Sequence, residues 1–100
     1  MSYKVIISAK VSGQLLAHIG FLSRVSIPAA ERFRNSFSDI MARIEDNPFQ
    51  FPLEIDSNLP EGIYRRALFA ERYKALFTVS GTSVFLDAVV DCRQLPKSYE

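Results

Sequence analysis

The sequence predicts an α+β domain of order β-α-α-β-β-β, with a two-helix hairpin packed on one face of a mainly antiparallel four-stranded sheet. Three observations predict it. A short β-branched run opens the chain, two stretches with apolar residues at helical spacing follow, and the last third alternates in strand fashion between turn residues. Helices gathered on one face of an antiparallel sheet make a two-layer α+β arrangement.

The opening run is "YKVIIS", Tyr3 to Ser8, short and bounded by polar residues, as a strand requires. From Ala9 to Val25, Val11, Leu15, Ile19 and Leu22 recur every three or four positions, which is helical spacing. Gly13, Ala17 and Gly20 form a second stripe of small residues on that helix. Each glycine costs about 1 kcal/mol of helix propensity relative to alanine, and close approach to a neighbouring element is the expected return. A second helix follows in "SIPAAERFRNSFSDIMARIEDNP", where Ser26 can cap, Pro28 fits the first turn and Pro48 stops it. Ala30, Phe33, Phe37, Ile40, Met41 and Ile44 make its apolar stripe, and Asp39 and Arg43 form an i,i+4 pair on the wet side.

"FQFPLEIDSNLPEG" carries two prolines and a glycine, so it crosses as a loop from helix to sheet. Three strands are then expected, Ile63 to Phe69, Arg72 to Val79 and Ser83 to Asp91, with turns at Ala70-Glu71 and Gly81-Thr82. With two-residue turns, the commonest hairpin connection, Phe69 faces Arg72 and Ser80 faces Ser83. Tyr64, Arg66, Leu68, Tyr73, Ala75, Phe77, Val79, Val84, Leu86, Ala88 and Val90 then share the helix-packed face. Ile63, Arg65, Ala67, Phe69, Arg72, Lys74, Leu76, Thr78, Phe85, Asp87, Val89 and Asp91 share the open one. Arg66 is the odd residue on the apolar side and needs the sheet margin or a carboxylate, with Glu31, Glu45 and Asp56 as candidates. Arg65, Arg72 and Lys74 form a cation cluster on the open side, either to meet an anion or to be neutralised by Asp87 and Asp91.

One hundred residues suit a single domain spanning 1–100, and 48% hydrophobic content with 12% aromatics is enough for a core. Twelve Lys plus Arg against eleven Asp plus Glu leave a net charge of +1. Any nucleic-acid footprint must therefore come from local clustering of cations. The single cysteine, Cys92, excludes an intramolecular disulfide and a Cys-rich zinc motif, and it is read as a buried thiol. The N-terminal apolar run is too short for a signal peptide and no run reaches membrane-spanning length. A cytoplasmic protein is expected, with no membrane partner, metal or cofactor.

Two segments carry a family resemblance. "IPAAERFRNSFSDIMARIEDNP" has a Pro-Ala-Ala opening and an Asn-Pro close. "LPEGIYRRALFAERYKALFTVSGTSVFLDAVVDCRQ" has Tyr-Arg beginning one strand and Arg-Tyr-Lys beginning the next. In these, and over nearly its full length, the chain resembles the RelE/ParE superfamily of type II toxin–antitoxin toxins. The resemblance implies a RelE-like fold and a bacterial toxin that inhibits growth until its cognate antitoxin neutralises it. ParE-like members inhibit DNA gyrase, whereas RelE-like members cleave messenger RNA on the ribosome.

Carried over by position, Arg65 and Lys74 match catalytic-face basic residues of the nucleases, and Lys97 and Tyr99 match a C-terminal basic residue and tyrosine. Ala67 stands where a further basic residue is expected. Cleavage by a 2′-hydroxyl needs a base, an acid and cations for the phosphorane charge. Arg65 and Lys74 suit the last task and Tyr99 suits stacking or proton relay, while the sole histidine, His18, lies on the first helix. This loose set tilts the expectation toward ParE-like binding, with the nuclease as alternative and an inactive toxin-fold antitoxin partner as a third. Target contacts are expected from Arg65, Arg72, Lys74 and Arg93. Antitoxin contacts are expected at Phe69, Phe85 and the helix hairpin.

Overall fold

The computed structural model describes residues 2–56 and 58–92. Its elements are β1 (Lys4–Ile7), α1 (Ala9–Val25), α2 (Ile27–Asp46), a 3₁₀ turn at Pro48–Gln50, β2 (Arg65–Phe69), β3 (Tyr73–Ser80) and β4 (Ser83–Asp91). The sheet order is β1-β4-β3-β2. β1 lies parallel to β4, and the other two pairings are antiparallel. The α+β class and the element order are those the sequence predicts. Among the described residues, no helix is long and apolar enough to cross a membrane.

Short polar side chains set the helix ends. Ser8 Oγ accepts from the Val11 N–H at 3.2 Å, capping α1. Ser26 alone separates the helices and serves both. Its N–H donates to the Leu22 carbonyl at 2.7 Å, and its Oγ accepts from the Ala29 N–H at 3.3 Å. A one-residue joint in extended conformation (φ −165°, ψ 121°) folds α2 back along α1. Asn47 ends α2 through its N–H to the Arg43 carbonyl. Arg43 does not take up the expected pair with Asp39. Its guanidinium donates to Gln50 Oε1 at 3.1 Å and lies 4.9 Å from the Phe51 ring centre.

The core lies between the hairpin and the sheet. Ala30, Phe33, Ile40 and Ile44 of α2 are buried there, as are Val11 and Leu22 of α1. Phe33 stacks edge-on to Tyr73 (centroids 4.7 Å apart) and tilts against Phe69 (5.2 Å), and Phe37 also packs on Phe69 (5.6 Å). Gly13 and Gly20 do not make the expected close approach. A Cβ added at either position would meet nothing within 4 Å.

Two features of the meander depart from the expected register. In β2 and β3, Phe69 faces Tyr73 and Arg65 faces Phe77, so the first turn holds three residues, Ala70 to Arg72. Arg65, Ala67 and Phe69 therefore turn toward the helices, while Arg66 and Leu68 take the open face. Burying Phe69 in place of Leu68 adds an aromatic to the cluster and keeps the Arg66 guanidinium out of the core. The cost falls in the turn. Ala70 (φ 49°) and Glu71 (φ 70°) both adopt left-handed backbone, and the Arg72 N–H closes on the Ala70 carbonyl at 2.8 Å. The second turn, Gly81-Thr82, is the two-residue one expected, with Gly81 at φ 60°.

The second departure is a bulge in β4. Leu76 faces Ala88 and Phe77 faces Leu86, which leaves Asp87 as the extra residue. The alternation shifts by one there. Val84 and Leu86 are buried before it, and Val89 and Asp91 after it. Ala88 and Val90, expected against the helices, take the outer face.

α1 completes the sheet where β1 ends. β1 stops at Ile7 opposite Leu86. Three residues on, Gln14 Oε1 accepts from the Val89 N–H at 2.9 Å, and His18 Nε2 sits 2.9 Å from the Val89 carbonyl oxygen. A carbonyl can only accept, so the proton of that bond sits on Nε2. His18 also packs edge-on to Tyr73 at 5.0 Å. These two side chains, one helical turn apart, stand in for strand partners. Gln14→Leu and His18→Leu should each lower stability by about 1–3 kcal/mol by stranding one backbone group of Val89, as measured by urea unfolding.

Candidate functional site

The outer face of the sheet is partly roofed by the chain between α2 and β2. Residues 52–54 lie along the edge of β2, with Leu53 bridged antiparallel to Arg65. The Arg66 N–H donates to the Pro52 carbonyl at 3.0 Å, and the Glu54 N–H donates to the Tyr64 carbonyl at 2.8 Å. This strap covers an edge that would otherwise present unpaired backbone groups. It also carries Glu54 over the outer face.

There Glu54 meets two cations. Its Oε2 accepts from Lys74 Nζ, and its Oε1 lies 3.5 Å from Arg66 Nη1, which also donates to the Leu53 carbonyl at 2.6 Å. Lys74 is only 7% exposed and Glu54 only 8%, so the ion pair is buried although it lies on the face away from the helices. Arg66 thus meets a carboxylate, as its chemistry demands, on the opposite face from the one expected. The partner is Glu54 in place of Glu31, Glu45 or Asp56.

The other expected site residues are dispersed. Arg65 turns to the helix side, where its Nη1 donates to the Phe51 carbonyl at 2.7 Å and its guanidinium lies 5.0 Å from the Phe49 ring centre. Arg65 and Lys74, expected side by side on the open face, are on opposite faces of the sheet. Arg72, in the turn, has its Nε 3.6 Å from Asp91 Oδ2 and donates through Nη2 to Tyr73 Oη at 3.0 Å. The expectation that acidic neighbours neutralise the cluster therefore holds for Arg72. Phe69, expected as exposed antitoxin-binding surface, is 5% exposed within the aromatic core, whereas Phe85 does stand open on the outer face. Arg93, Lys97 and Tyr99 lie outside the described residues.

Glu54 is the residue the sequence reading missed. The "PLEID" segment looks like loop, and its one usable signal was an acid beside two apolar residues, Leu53 and Ile55, after a proline. A further contact was also missed. Tyr64 Oη donates to Asp87 Oδ2 at 2.9 Å, joining the entry of β2 to the β4 bulge. The hydrogen bond to the Asp87 carboxylate, together with desolvation and the carboxylate charge, raises the Tyr64 phenol above its ordinary 10.0. Partial burial raises the Cys92 thiol above 9.0, with Asp91 and Glu54 adding and Lys74 opposing.

A groove of about 580 Å³ opens between α2 and the Ala70–Arg72 turn. Arg32, Asp39, Glu71 and Arg72 line it over Leu22 and Phe33, so its rim carries both signs of charge. No family model matches the chain, and no curated protein matches it.

Two measurements check this geometry. Lys74→Met alone should cost about 3–5 kcal/mol in chemical unfolding, because it leaves the Glu54 carboxylate buried with its main partner gone. Adding Glu54→Leu should recover most of that loss. Spectrophotometric titration should put Tyr64 above the ordinary phenol range, and Asp87→Asn should bring it back down. The stabilised form is the neutral phenol. Its contribution to folding is therefore full below about pH 10 and is lost as pH rises through the raised value.

Proposed function

We propose that this chain is the toxin of a bacterial type II toxin–antitoxin module. It inhibits growth by binding a protein target, with DNA gyrase as that target, until a cognate antitoxin neutralises it. Two things support the toxin reading: the resemblance of the second helix and the meander to RelE/ParE toxins, and an element order that agrees with the one the resemblance implies. The choice of gyrase rests on the resemblance alone.

The observation that carries binding over RNA cleavage is the engagement of the sheet cations. Lys74 and Arg66 share the Glu54 carboxylate, Arg72 meets Asp91, and Arg65 is held by the Phe51 carbonyl on the other side. A phosphorane needs cations gathered on one accessible surface. Among the described residues these four are spread over two faces, and each has an oxygen partner. Ala67, on the helix-packed side, adds no charge.

Induced expression in a bacterial host tests the reading. Growth arrest with a DNA-damage response is expected, together with inhibition of gyrase supercoiling by the purified protein. Arg65→Ala should leave the arrest intact. Messenger cut in ribosome footprints would replace binding with nuclease action. An absence of any growth defect would leave only the role of an antitoxin's binding partner.

A further inference from the structure

The groove between α2 and the Ala70–Arg72 turn carries charges that the fold leaves unmatched. Arg32 and Asp39 stand on its helical bank, seven residues apart. That is two turns, so both lie on one face of α2 with about 10.5 Å of axis between them. Among the described residues, neither takes part in a salt bridge. Arg43, one turn on from Asp39, reaches Gln50 instead. Asn35 and Ser36 fill the space between, so this bank runs from cation through amide and hydroxyl to carboxylate.

The facing bank is held in place before any ligand arrives. The Arg72 N–H closes on the Ala70 carbonyl at 2.8 Å, and the Arg72 carbonyl accepts from the Cys92 N–H at 2.6 Å. The Arg72 side chain is engaged by Asp91 and by Tyr73 Oη. This bank adds one charge of each sign, Glu71 and Arg72, above the apolar floor of Leu22 and Phe33. A rigid wall of this kind lowers the ordering cost of binding.

Charge and length select the ligand. Two guanidiniums and two carboxylates leave the groove neutral overall. A simple anion meets Asp39 and Glu71 there, and a simple cation meets Arg32 and Arg72. A molecule with one charge of each sign at opposite ends gains at both. The separation of about 10.5 Å matches three residues of extended chain at roughly 3.3–3.6 Å each. The volume of about 580 Å³ falls in the range of small-molecule sites, roughly 300–1,000 Å³. Asn35 and Ser36 offer donors and acceptors where the peptide groups of such a chain would pass.

We propose that this groove binds a free oligopeptide of about three residues by its two charged ends. The peptide carboxylate lies at Arg32, its ammonium at Asp39, and its middle side chain over Leu22 and Phe33. This goes beyond the toxin reading and does not depend on it.

An NMR titration of the full chain with the tripeptide Ala-Leu-Ala tests it. Saturable shifts at groove residues are expected, with a Kd below about 1 mM that rises with added salt. Acetylating the amine or amidating the carboxylate should each weaken binding about tenfold. Asp39→Asn should weaken binding of the free peptide about tenfold and abolish the effect of acetylation. Arg32→Gln should do the same for amidation. Both side chains are exposed, so the melting temperature should not move. Leucine alone, whose two charges share one carbon, should bind at least about tenfold more weakly than the tripeptide. The absence of saturable shifts up to about 10 mM peptide overturns the proposal. Equal binding of the doubly capped peptide overturns it in favour of a seat for the middle of a longer chain. Discrimination between free and capped ends that survives both substitutions overturns it too, since the ends would then lie elsewhere.

Discussion

The arrangement of the sheet follows from the burial of Phe69. Its ring packs against Phe33, Phe37 and Tyr73 in the centre of the aromatic cluster. A side chain of that size gains about 1.5–3 kcal/mol on burial, of the same order as the roughly 1–3 kcal/mol of strain at one left-handed residue of the turn that delivers it. Once Phe69 points inward, strand alternation also sends Ala67 and Arg65 inward and sends Arg66 and Leu68 outward. Placing Phe69 opposite Tyr73 requires three residues in the turn, which forces Ala70 and Glu71 into left-handed backbone. Local backbone comfort is given up for packing in the core.

That register creates a problem on the outer face, and the strap answers it. Arg66 and Lys74 arrive on the same side of adjacent strands, where two like charges repel. Glu54 supplies the compensating charge from a segment that also pairs with the edge of β2. Desolvation makes such a pair a doubtful source of net stability, yet removing one member leaves an uncompensated buried charge. The pair therefore works as a positional lock. It holds the strap on the sheet and keeps Lys74 engaged.

β4 shows the same trade in another form. It is an inner strand with neighbours of unequal length. Beside β1 it is paired through Leu86, and beyond that point α1 side chains take over the backbone of Val89. The Asp87 bulge falls at this change of partner and shifts the inward set from Val84 and Leu86 to Val89 and Asp91. The inner side of α1 is thus committed to the sheet, and its apolar outer side is left to solvent.

Element identity and order were legible in the sequence because they rest on local rules. The spacing of Phe33, Ile40 and Ile44, the capping by Ser26 and the stop at Pro48 depend only on residues within a few positions. The inward set of β3, Tyr73, Ala75, Phe77 and Val79, was legible too, since one long alternating run fixes its own faces. The faces of β2 and of the far half of β4 were not. Each depends on a one-residue count, a third residue in a turn or an extra residue in a strand, and each count inverts the side chains on one side of it, β2 before the turn and the far half of β4 after the bulge. Glu54 was hidden for a related reason, because its partner Lys74 is 20 residues away across a loop without periodicity. Sequence alone determined the elements, their order and the two-layer class. Tertiary packing decided which way each arginine and lysine points, because that choice turns on whether Phe69 or Leu68 enters the aromatic core.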